Sequence, residues 1–559
     1  MVVSVNIAEK SFGNNVLYHD LRLEIQDGEK IGLVGRNGTG KTTLLHMITG
    51  EDTDYDGTVQ AKKGTIIIGS RQEHHGFEDQ SVLEYILGDL PEYAKHKHIL
   101  DTYPEKMGAN NRLMHDYSDS LERFSQLGYF EVENEILEAL RAYQVEESMS
   151  QGPLKNLSGG QKRMVELVKV QRARAHLALI DEPTNHMDFV AKKAFLKWFK
   201  SAREAVVVIT HDRDVLQSVD RIIEIRDGQA FSYPGNYDDY LRINAVKIGS
   251  EVTQFSLVQR RISNLKENII RFRRLKERSR DPGTIQRFKA LEVKAVTELA
   301  ELEKTEMPTF WIDRESVGEL NEKMGAAYKR HKAKNIKVDA RKSESESSRL
   351  LVEVRKLSLG YDKPLFADIS FDLREGDRIR LHGRNGAGKS TLVKAVVAKV
   401  QDSQPESTIF DGTIASEKEL KIGIYEQEID PGYLPLTLSQ AIEKAYMAKD
   451  VPVSDQKVKQ LLGDYLFNPA TDGDVPLSRL SGGQKARFQL MNMLAGDPQI
   501  LVLDEPTNHL DLPSIEELEN ALETYHGAVI YISHDSYFAR NVGGETVDVA
   551  PLPLPYYNM

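Results

Sequence analysis

The sequence predicts an α/β fold built twice, as two tandem phosphate-loop domains joined by a long α-helical hairpin. Three repeated strings carry that expectation. GRNGTGKT at 35–42 returns as GRNGAGKS at 383–390, LSGGQK at 157–162 returns at 480–485, and DEPTNHMD from Asp181 returns as DEPTNHLD from Asp504. The spacing returns with them: Ser158 to Asp181 and Ser481 to Asp504 are both 23 residues, and Asp181 to His211 and Asp504 to His534 are both 30. A fixed spacing between repeated motifs marks duplicated domains.

Each glycine-rich string follows a short apolar run, EKIGLV or DRIRLH, and precedes a helix-like run, TLLHMITG or TLVKAVVAK. That strand–loop–helix context is what a phosphate-binding loop requires. The loops Gly35, Arg36, Asn37, Gly38, Thr39 and Gly40, and Gly383, Arg384, Asn385, Gly386, Ala387 and Gly388, let backbone N–H groups and a helix N-terminus face an anion. Lys41 and Lys389 then reach the β- and γ-phosphates, Thr42 and Ser390 supply hydroxyls for Mg²⁺, and Thr43 and Thr391 follow in the first helical turn.

Next come LALID and ILVLD, continuous apolar runs ending in Asp. Such runs read as buried parallel strands that deliver a carboxylate at their C-terminal ends. Asp181 and Asp504 are expected to hold Mg²⁺ through its water shell, and the adjacent Glu182 and Glu505 to orient or deprotonate the attacking water. AVVVIT before His211 and AVIYIS before His534 repeat the strand-then-polar pattern and bring an imidazole near the γ-phosphate. Gln72 and Gln427 lie between loop and LSGGQ, where an amide meets metal or water; an ordinary strand-end amide is the alternative for either alone.

The order phosphate loop, Gln, LSGGQ, apolar run with DEP, then His resembles the ATP-binding cassette (ABC) ATPases. The resemblance implies two tandem ABC-type P-loop ATPase domains using ATP and Mg²⁺, paired head to tail within one monomer. Ser158, Gly159, Gly160 and Gln161 would then face the nucleotide on the second phosphate loop, and Ser481, Gly482, Gly483 and Gln484 the nucleotide on the first. A Ser N-cap with glycines for tight packing is the structural alternative, and both roles hold at once. Phe12 and Tyr361, aromatic residues ahead of the two loops, are candidates to stack on adenine, although they stand one residue out of register.

DEPTNHMD and DEPTNHLD, with Asn-His inside and a long linker between the halves, resemble the ABC-F family of ribosome-associated ATPases. The linker reads as a hairpin independently. Phe255, Val258, Ile262, Leu265, Ile269, Phe272 and Leu275 step by three and four, RDPG at 280–283 supplies a stop and turn, and Ile285, Phe288, Leu291, Ala295, Leu299 and Leu302 return. Its tip is basic: RFRRLKERSR has six Lys/Arg against one Glu. Arg271, Arg273, Arg274, Lys276, Arg278 and Arg280, with Arg287 and Lys289 across the turn, are candidate RNA-binding residues, because one acid cannot neutralise six bases and phosphate backbone is the natural partner. By resemblance the hairpin reaches large-subunit rRNA and the P-site tRNA. Lys41 to Ser158 spans 117 residues but Lys389 to Ser481 only 92, so the first domain carries a helical insertion around 90–150; it resembles the ribosome-contacting arm of some ABC-F proteins, and a lengthened helical subdomain with no partner is the alternative. The expected layout is a first cassette at 1–241, the hairpin at 242–305, a connector at 306–349 and a second cassette at 350–559. The C-terminal VDVAPLPLPYYNM departs from the first copy and leaves its last strand open.

Composition narrows the function. The 559 residues are 28% charged and 40% hydrophobic, with no apolar run of membrane-spanning length and no secretory signal at the start. The net charge is −12, yet residues 241–349 carry +9, so an acidic protein has a basic middle. Cysteine is absent, which removes disulfides, thiolate zinc sites and the iron–sulfur ATPase that recycles ribosomes, and makes a cytoplasmic address the default. The functional expectation is an ABC-F ATPase acting as a translation factor on the ribosome. Antibiotic resistance by ribosomal target protection is the alternative within the family, and a transporter ATPase subunit or a DNA-repair ATPase are the alternatives outside it. The short SRDPGT tip favours the translation factor.

Overall fold

The computed structural model describes residues 1–12, 15–71, 74, 76–106, 110–185, 187–244, 349–425, 429–465, 467–480, 482–508 and 510–552, and in the linker 261, 262, 265, 266, 269, 270, 274, 275 and 282–302. The chain divides into two compact units: Met1–Tyr237 with Ile336–Met559, and Asp238–Asn335.

In the first cassette β1 (Val3–Phe12), β2 (Asn15–Ile25) and β4 (Asp56–Ala61) form an antiparallel sheet in the order β2-β1-β4. The second sheet has the order β5-β6-β7-β3-β8-β9, from β3 (Lys30–Val34), β5 (Ile67–Gly69), β6 (Leu177–Asp181), β7 (Ala205–Ile209), β8 (Arg221–Arg226) and β9 (Gln229–Pro234). Only β9 runs antiparallel there. AVVVI of β7 is buried throughout, and the first four residues of β6 are buried with it, as a parallel strand covered on both faces demands. The strands β3, β6 and β7 therefore end together on one edge, where the ligand of a parallel α/β sheet sits.

The helices follow in chain order. They are α1 (Lys41–Thr49) after the phosphate loop, α2 (Val82–Asp89), α3 (Tyr93–Lys106), α4 (Asn111–Gln126), α5 (Val132–Ala142), α6 (Gly159–Arg172) and α7 (Phe189–Ser201). The additional residues of the first cassette are α3 and α4. They are held by Tyr93, Phe124 and Tyr129, whose rings meet edge-on or tilted at 5.4–5.6 Å, and by the Arg123–Glu92 ion pair at 2.8 Å. Met114, Leu121 and Phe130 remain exposed on this insert.

In the linker unit, α8 (Pro282–Leu302) opens on the proline expected to end a helix. The reason is positional: at the first helical turn a proline needs no N–H partner and its φ is already helical. Arg261 pairs with Glu298 at 2.8 Å, and Leu265, Ile269, Ala295 and Leu299 form one small core, so the two expected stripes do face each other. Leu275 and Leu291, placed in those stripes by periodicity, are instead exposed. Phe255, Val258 and Phe272 lie outside the described residues.

The second cassette repeats the plan. Its antiparallel sheet is β11-β10-β13, from β10 (Leu350–Gly360), β11 (Pro364–Arg374) and β13 (Thr408–Ser416). Its parallel sheet is β14-β15-β16-β12-β17, from β12 (Arg378–His382), β14 (Ile422–Tyr425), β15 (Ile500–Asp504), β16 (Ala528–Ile532) and β17 (Glu545–Asp548). The unfamiliar C-terminus thus does supply a strand: β17 pairs with β12, Ile379 opposite Glu545 through His382 opposite Asp548. Its helices are α9 (Lys389–Val400), α10 (Leu438–Met447), α11 (Asp455–Asp464), α12 (Gly482–Leu494), α13 (Leu512–Thr524) and α14 (Ser536–Val542).

The two kinds of aromatic residue predict a sharp contrast in stability. Phe199 on α7 is fully buried, whereas Phe130 is 59% exposed. Phe199→Ala is expected to cost about 3–5 kcal/mol and lower the denaturation midpoint, and Phe130→Ala to leave it within about 0.5 kcal/mol. Equal effects from the two substitutions would contradict this placement of the core.

Candidate functional site

The two phosphate loops close on themselves in the same way. Lys41 Nζ donates to the carbonyls of Gly35 and Arg36 at 2.7 and 3.0 Å, and Lys389 Nζ to those of Gly383 and Arg384 at 2.8 and 2.9 Å. Burial lowers the pKa of both ammonium groups. Gly38 and Gly386 have φ of +86 and +78, and no atom lies within 4 Å of where a Cβ would stand. That combination leaves open space beside each loop, which fits an anion. Below each loop a hydroxyl meets the strand-end carboxylate: Thr42 Oγ1 to Asp181 Oδ2 at 2.7 Å and Ser390 Oγ to Asp504 Oδ2 at 2.7 Å. A hydroxyl and a carboxylate side by side are a suitable hard-oxygen set for Mg²⁺.

Glu182 and Glu505 begin where β6 and β15 end. Their φ values are +47 and +48, in the left-handed region that costs a non-glycine residue roughly 1–2 kcal/mol. Each backbone N–H is fixed by the neighbouring strand, to the carbonyl of Ile209 at 2.9 Å or of Ile532 at 3.0 Å. Burial, with the Asp181 carboxylate second, raises the Glu182 pKa far above the usual carboxylate range; burial and Asp504 raise Glu505 to about 7. His211 and His534 are pushed the other way, to about 3, by burial and by the nearby lysines. Their Nε2 atoms stand 3.5 and 3.3 Å from Glu182 and Glu505. With neutral imidazoles these are not ion pairs. The ring nitrogens of both histidines and Glu505 Oε1 make no hydrogen bond among the described residues, so the site holds buried polar atoms awaiting a polar ligand.

Each loop is completed by the other cassette. Asn385 N donates to Asp188 Oδ2 at 3.1 Å, and Asn37 N donates to Asp511 Oδ2 at 3.3 Å. The other oxygen of each Asp caps its own helix: Asp188 Oδ1 accepts from Val190 and Ala191, and Asp511 Oδ1 from Ser514. The site on the first loop is called site 1 and that on the second loop site 2. A cavity of about 860 Å³ at site 2 is lined by Ser158, Gly159, Gly160 and Gln161 from one side and by Asn385, Gly386, Lys389, Ser390, Asp504 and Glu505 from the other. Ser158 also caps α6 in a capping box with Gln161, so the structural and ligand-facing alternatives coexist. A smaller cavity of about 40 Å³ joins Glu182 and His211 to Glu505 and His534 across the interface.

The cassettes are further tied by contacts of the residues that follow His211 and His534. Arg213 pairs with Glu519 at 3.0 Å with both side chains buried, Gln217 bonds Tyr537 at 3.0 Å, and Ser536 bonds Asp214 at 2.7 Å. By the repeat register, Ser536 and Leu196 stand where Arg213 and Glu519 do, so this lock exists on one side of the pseudo-twofold.

The structure thus brings together Gly35 to Thr43 with Asp181, Glu182 and His211, and Gly383 to Thr391 with Asp504, Glu505, His534 and the first LSGGQ string. Gly482, Gly483 and Gln484 open α12, whose Arg487 lies near Arg36 of the first loop. Gln72, Gln427, Ser481, Arg271, Arg273, Lys276, Arg278 and Arg280 lie outside the described residues. Arg274, Arg287 and Lys289 are exposed. Phe12 and Tyr361 are 56% and 52% exposed, and the Phe12 ring lies under the Lys10 ammonium at 4.7 Å. Leu365, four residues after Tyr361, lines the site 2 cavity. Asp188 and Asp511 escaped notice although both close the repeated octapeptide, because an Asp after a turn reads as a helix cap.

These features define a P-loop ATPase with two sites, each built from both halves. Comparison with known proteins gives the family. The ABC transporter ATPase family profile matches residues 18–185 and 366–508, and an extension found in that family matches 223–309. The chain therefore belongs to the ABC ATPases, and among them to the ABC-F-type ATP-binding proteins. It is 27% identical to the ATP-binding protein YdiF of Bacillus subtilis, over 100% of this chain and 81% of that one. It is 29% identical to YheS of Escherichia coli K12 (95% and 76% covered) and 27% identical to Uup of the same strain (97% and 79%). Two solved structures share the fold: the archaeal ribosome recycling factor aABCE1, determined with the stalk protein aP1, at TM-score 0.55 and 16% identity over 98% of this chain and 90% of that one, and RNase-L Inhibitor at 0.55 and 17% over 99% and 90%. Among the described residues no helix is long and apolar enough to cross a membrane.

The buried Arg213–Glu519 pair yields a test. Arg213→Ala strands a buried carboxylate and is expected to cost about 3–5 kcal/mol, while Arg213→Met with Glu519→Leu recovers most of that loss. Denaturation midpoints of the three chains measure it. A double variant as damaged as Arg213→Ala would show that the pair does not act as a unit.

Proposed function

We propose that this ATPase is a ribosome-associated ABC-F translation factor that acts on the P-site tRNA and peptidyl-transferase region. The observation that carries the reading is the reciprocal seating of Asp188 on the second phosphate loop and Asp511 on the first. A triphosphate at either loop is then gripped from both cassettes, so binding draws the halves together and cleavage of the γ-phosphate releases them. Lys41 and Lys389 exchange loop carbonyls for phosphate oxygens, and the helix N-termini at Ser158 and Ser481 meet the terminal phosphate. Glu182 and Glu505, held by strand ends, position and deprotonate water, with His211 and His534 donating to the phosphate. Thr42, Asp181 and Gln72, and Ser390, Asp504 and Gln427, would hold Mg²⁺, which neutralises phosphate charge when bound.

For the partner, the basic hairpin supports RNA. Arg274, Arg287 and Lys289 are exposed, and the surrounding +9 segment sits in an otherwise acidic chain. Fixed cations on an exposed helix face favour phosphate backbone over base readout. The aABCE1 structure, named for ribosome recycling, is compatible with such an address for a cassette pair. The translation-factor role also implies a cytoplasmic location.

Glu182→Gln with Glu505→Gln is expected to lower ATP turnover at least ~100-fold while keeping ATP binding, and to hold the chain in the ribosome pellet when ATP is present. Reversing Arg274, Arg287 and Lys289 to Glu should flatten the log–log salt dependence of pelleting by about 2–3. Parental turnover in the double Glu→Gln chain would remove both bases from the mechanism. Sedimentation with membranes or DNA instead of ribosomes would remove the partner.

A further inference from the structure

The two LSGGQ helices occupy equivalent places and carry different charges. Aligned on their repeated strings, Arg163, Glu166 and Lys169 of α6 stand opposite Ala486, Gln489 and Asn492 of α12. Arg163 reaches site 1 although the helix begins at site 2, and Glu166 and Lys169 bind the segment around Arg71. Arg163 Nη1 donates to the carbonyl of Glu182 at 2.9 Å. Glu166 is 2% exposed; its Oε2 accepts the backbone N–H of Arg71 at 2.8 Å, and its Oε1 meets His74 at 3.0 Å and the Tyr85 hydroxyl. Lys169 closes the cluster on Glu166 at 2.7 Å and Asp89 at 3.2 Å, and Arg71 reaches the same Asp89.

Two features make this cluster more than a buried salt bridge. Arg71 directly precedes Gln72, so Glu166 fixes the backbone leading into that amide. Glu182 is held at φ +47, a conformation that persists only where its surroundings over-determine it, and the Arg163 bond to its own carbonyl is one such restraint. The aligned positions of α12 are uncharged. Aligned on the capping boxes at Ser81 and Thr437, the places of Tyr85 and Asp89 are taken by Ala441 and Ala445.

We propose that α6 is a relay in which nucleotide seated at site 2 sets the geometry of site 1 through Arg163 and Glu166. The helix N-terminus at Ser158–Gly160 lines site 2, and Arg163 lies about 7.5 Å further along the same rigid rod, at the 1.5 Å rise per residue of a helix. A shift of the N-terminus on phosphate therefore moves the guanidinium that holds Glu182. The aligned positions of α12, Ala486, Gln489 and Asn492, carry no charge, so the two sites are expected to turn over unequally. Arg163 is a positioning residue, acting through Glu182. The relay rests on the assignment of Glu182 and Glu505 as the two bases.

The test uses the full chain with each base silenced in turn. With Glu505→Gln all remaining turnover comes from site 1, and adding Arg163→Ala is expected to lower kcat about 10-fold with KM within twofold. Arg163→Lys should restore it to within about threefold, since one ammonium still reaches the carbonyl. With Glu182→Gln, where turnover comes from site 2, the same Arg163→Ala should change kcat less than twofold, which also shows that the chain is folded. Emptying site 2 with Lys389→Ala should slow site 1 when Arg163 is present and have less than a twofold further effect when it is Ala. Equal losses in the two backgrounds, no loss with Glu505→Gln, or losses from Lys389→Ala and Arg163→Ala that multiply would overturn the relay. Parental turnover from Glu182→Gln with Glu505→Gln would overturn the base assignment beneath it and is a separate, recognisable failure.

Discussion

Two backbone amides, Asn37 and Asn385, each donate to a carboxylate from the opposite cassette, and the functional architecture depends on that exchange. Asp188 and Asp511 are bifunctional. One oxygen begins a helix of its own domain and the other reaches the partner's phosphate loop. Because the same side chain does both, the loop of one cassette is in register with the helix of the other, and each strand-end catalytic set is placed against a surface it does not own. Burial counteracts the ionisation of these groups, but hydrogen bonds from Ser514 and the cation of Arg36 keep Asp511 below the usual carboxylate range. The carboxylate stays charged where it must accept.

Around this exchange the two halves are similar in plan and unequal in detail. The strand-end residues repeat almost identically, down to the left-handed φ of Glu182 and Glu505. What differs is the material that holds them. Site 1 is backed by Arg163, Glu166, Lys169 and the one-sided Arg213–Glu519 lock, where the repeat has Ala486, Gln489, Asn492, Ser536 and Leu196. The repeated residues thus sit in unequal surroundings.

The parallel sheets and the loop, strand-end and histidine positions were legible because the sequence states them twice at one spacing. Chance is a weak competitor to a 23- and 30-residue repeat. Inference from single residue types reached less far. Phe12 and Tyr361 were chosen because aromatic rings stack on bases, and both are exposed, while Leu365 lines the site 2 cavity. Asp188 and Asp511 were in plain view and went unassigned, since a cap explains an Asp after a turn without any partner. The α6 charges were invisible for the opposite reason: comparing repeats highlights what they share, and the relay lies in what they do not. Proline at the start of α8 shows the same limit, because a residue that breaks a helix also begins one.

The most direct measurement is the separation of the halves at site 2 with and without nucleotide. The chain has no cysteine, so spin labels at Lys155→Cys and Lys363→Cys report on the first LSGGQ string and on the strand beside Leu365 without competing thiols. In the Glu182→Gln, Glu505→Gln background, ATP with Mg²⁺ should collapse the distance distribution to one short, narrow population that nucleotide removal reverses. A distribution indifferent to ATP would contradict the shared grip on which the account is built.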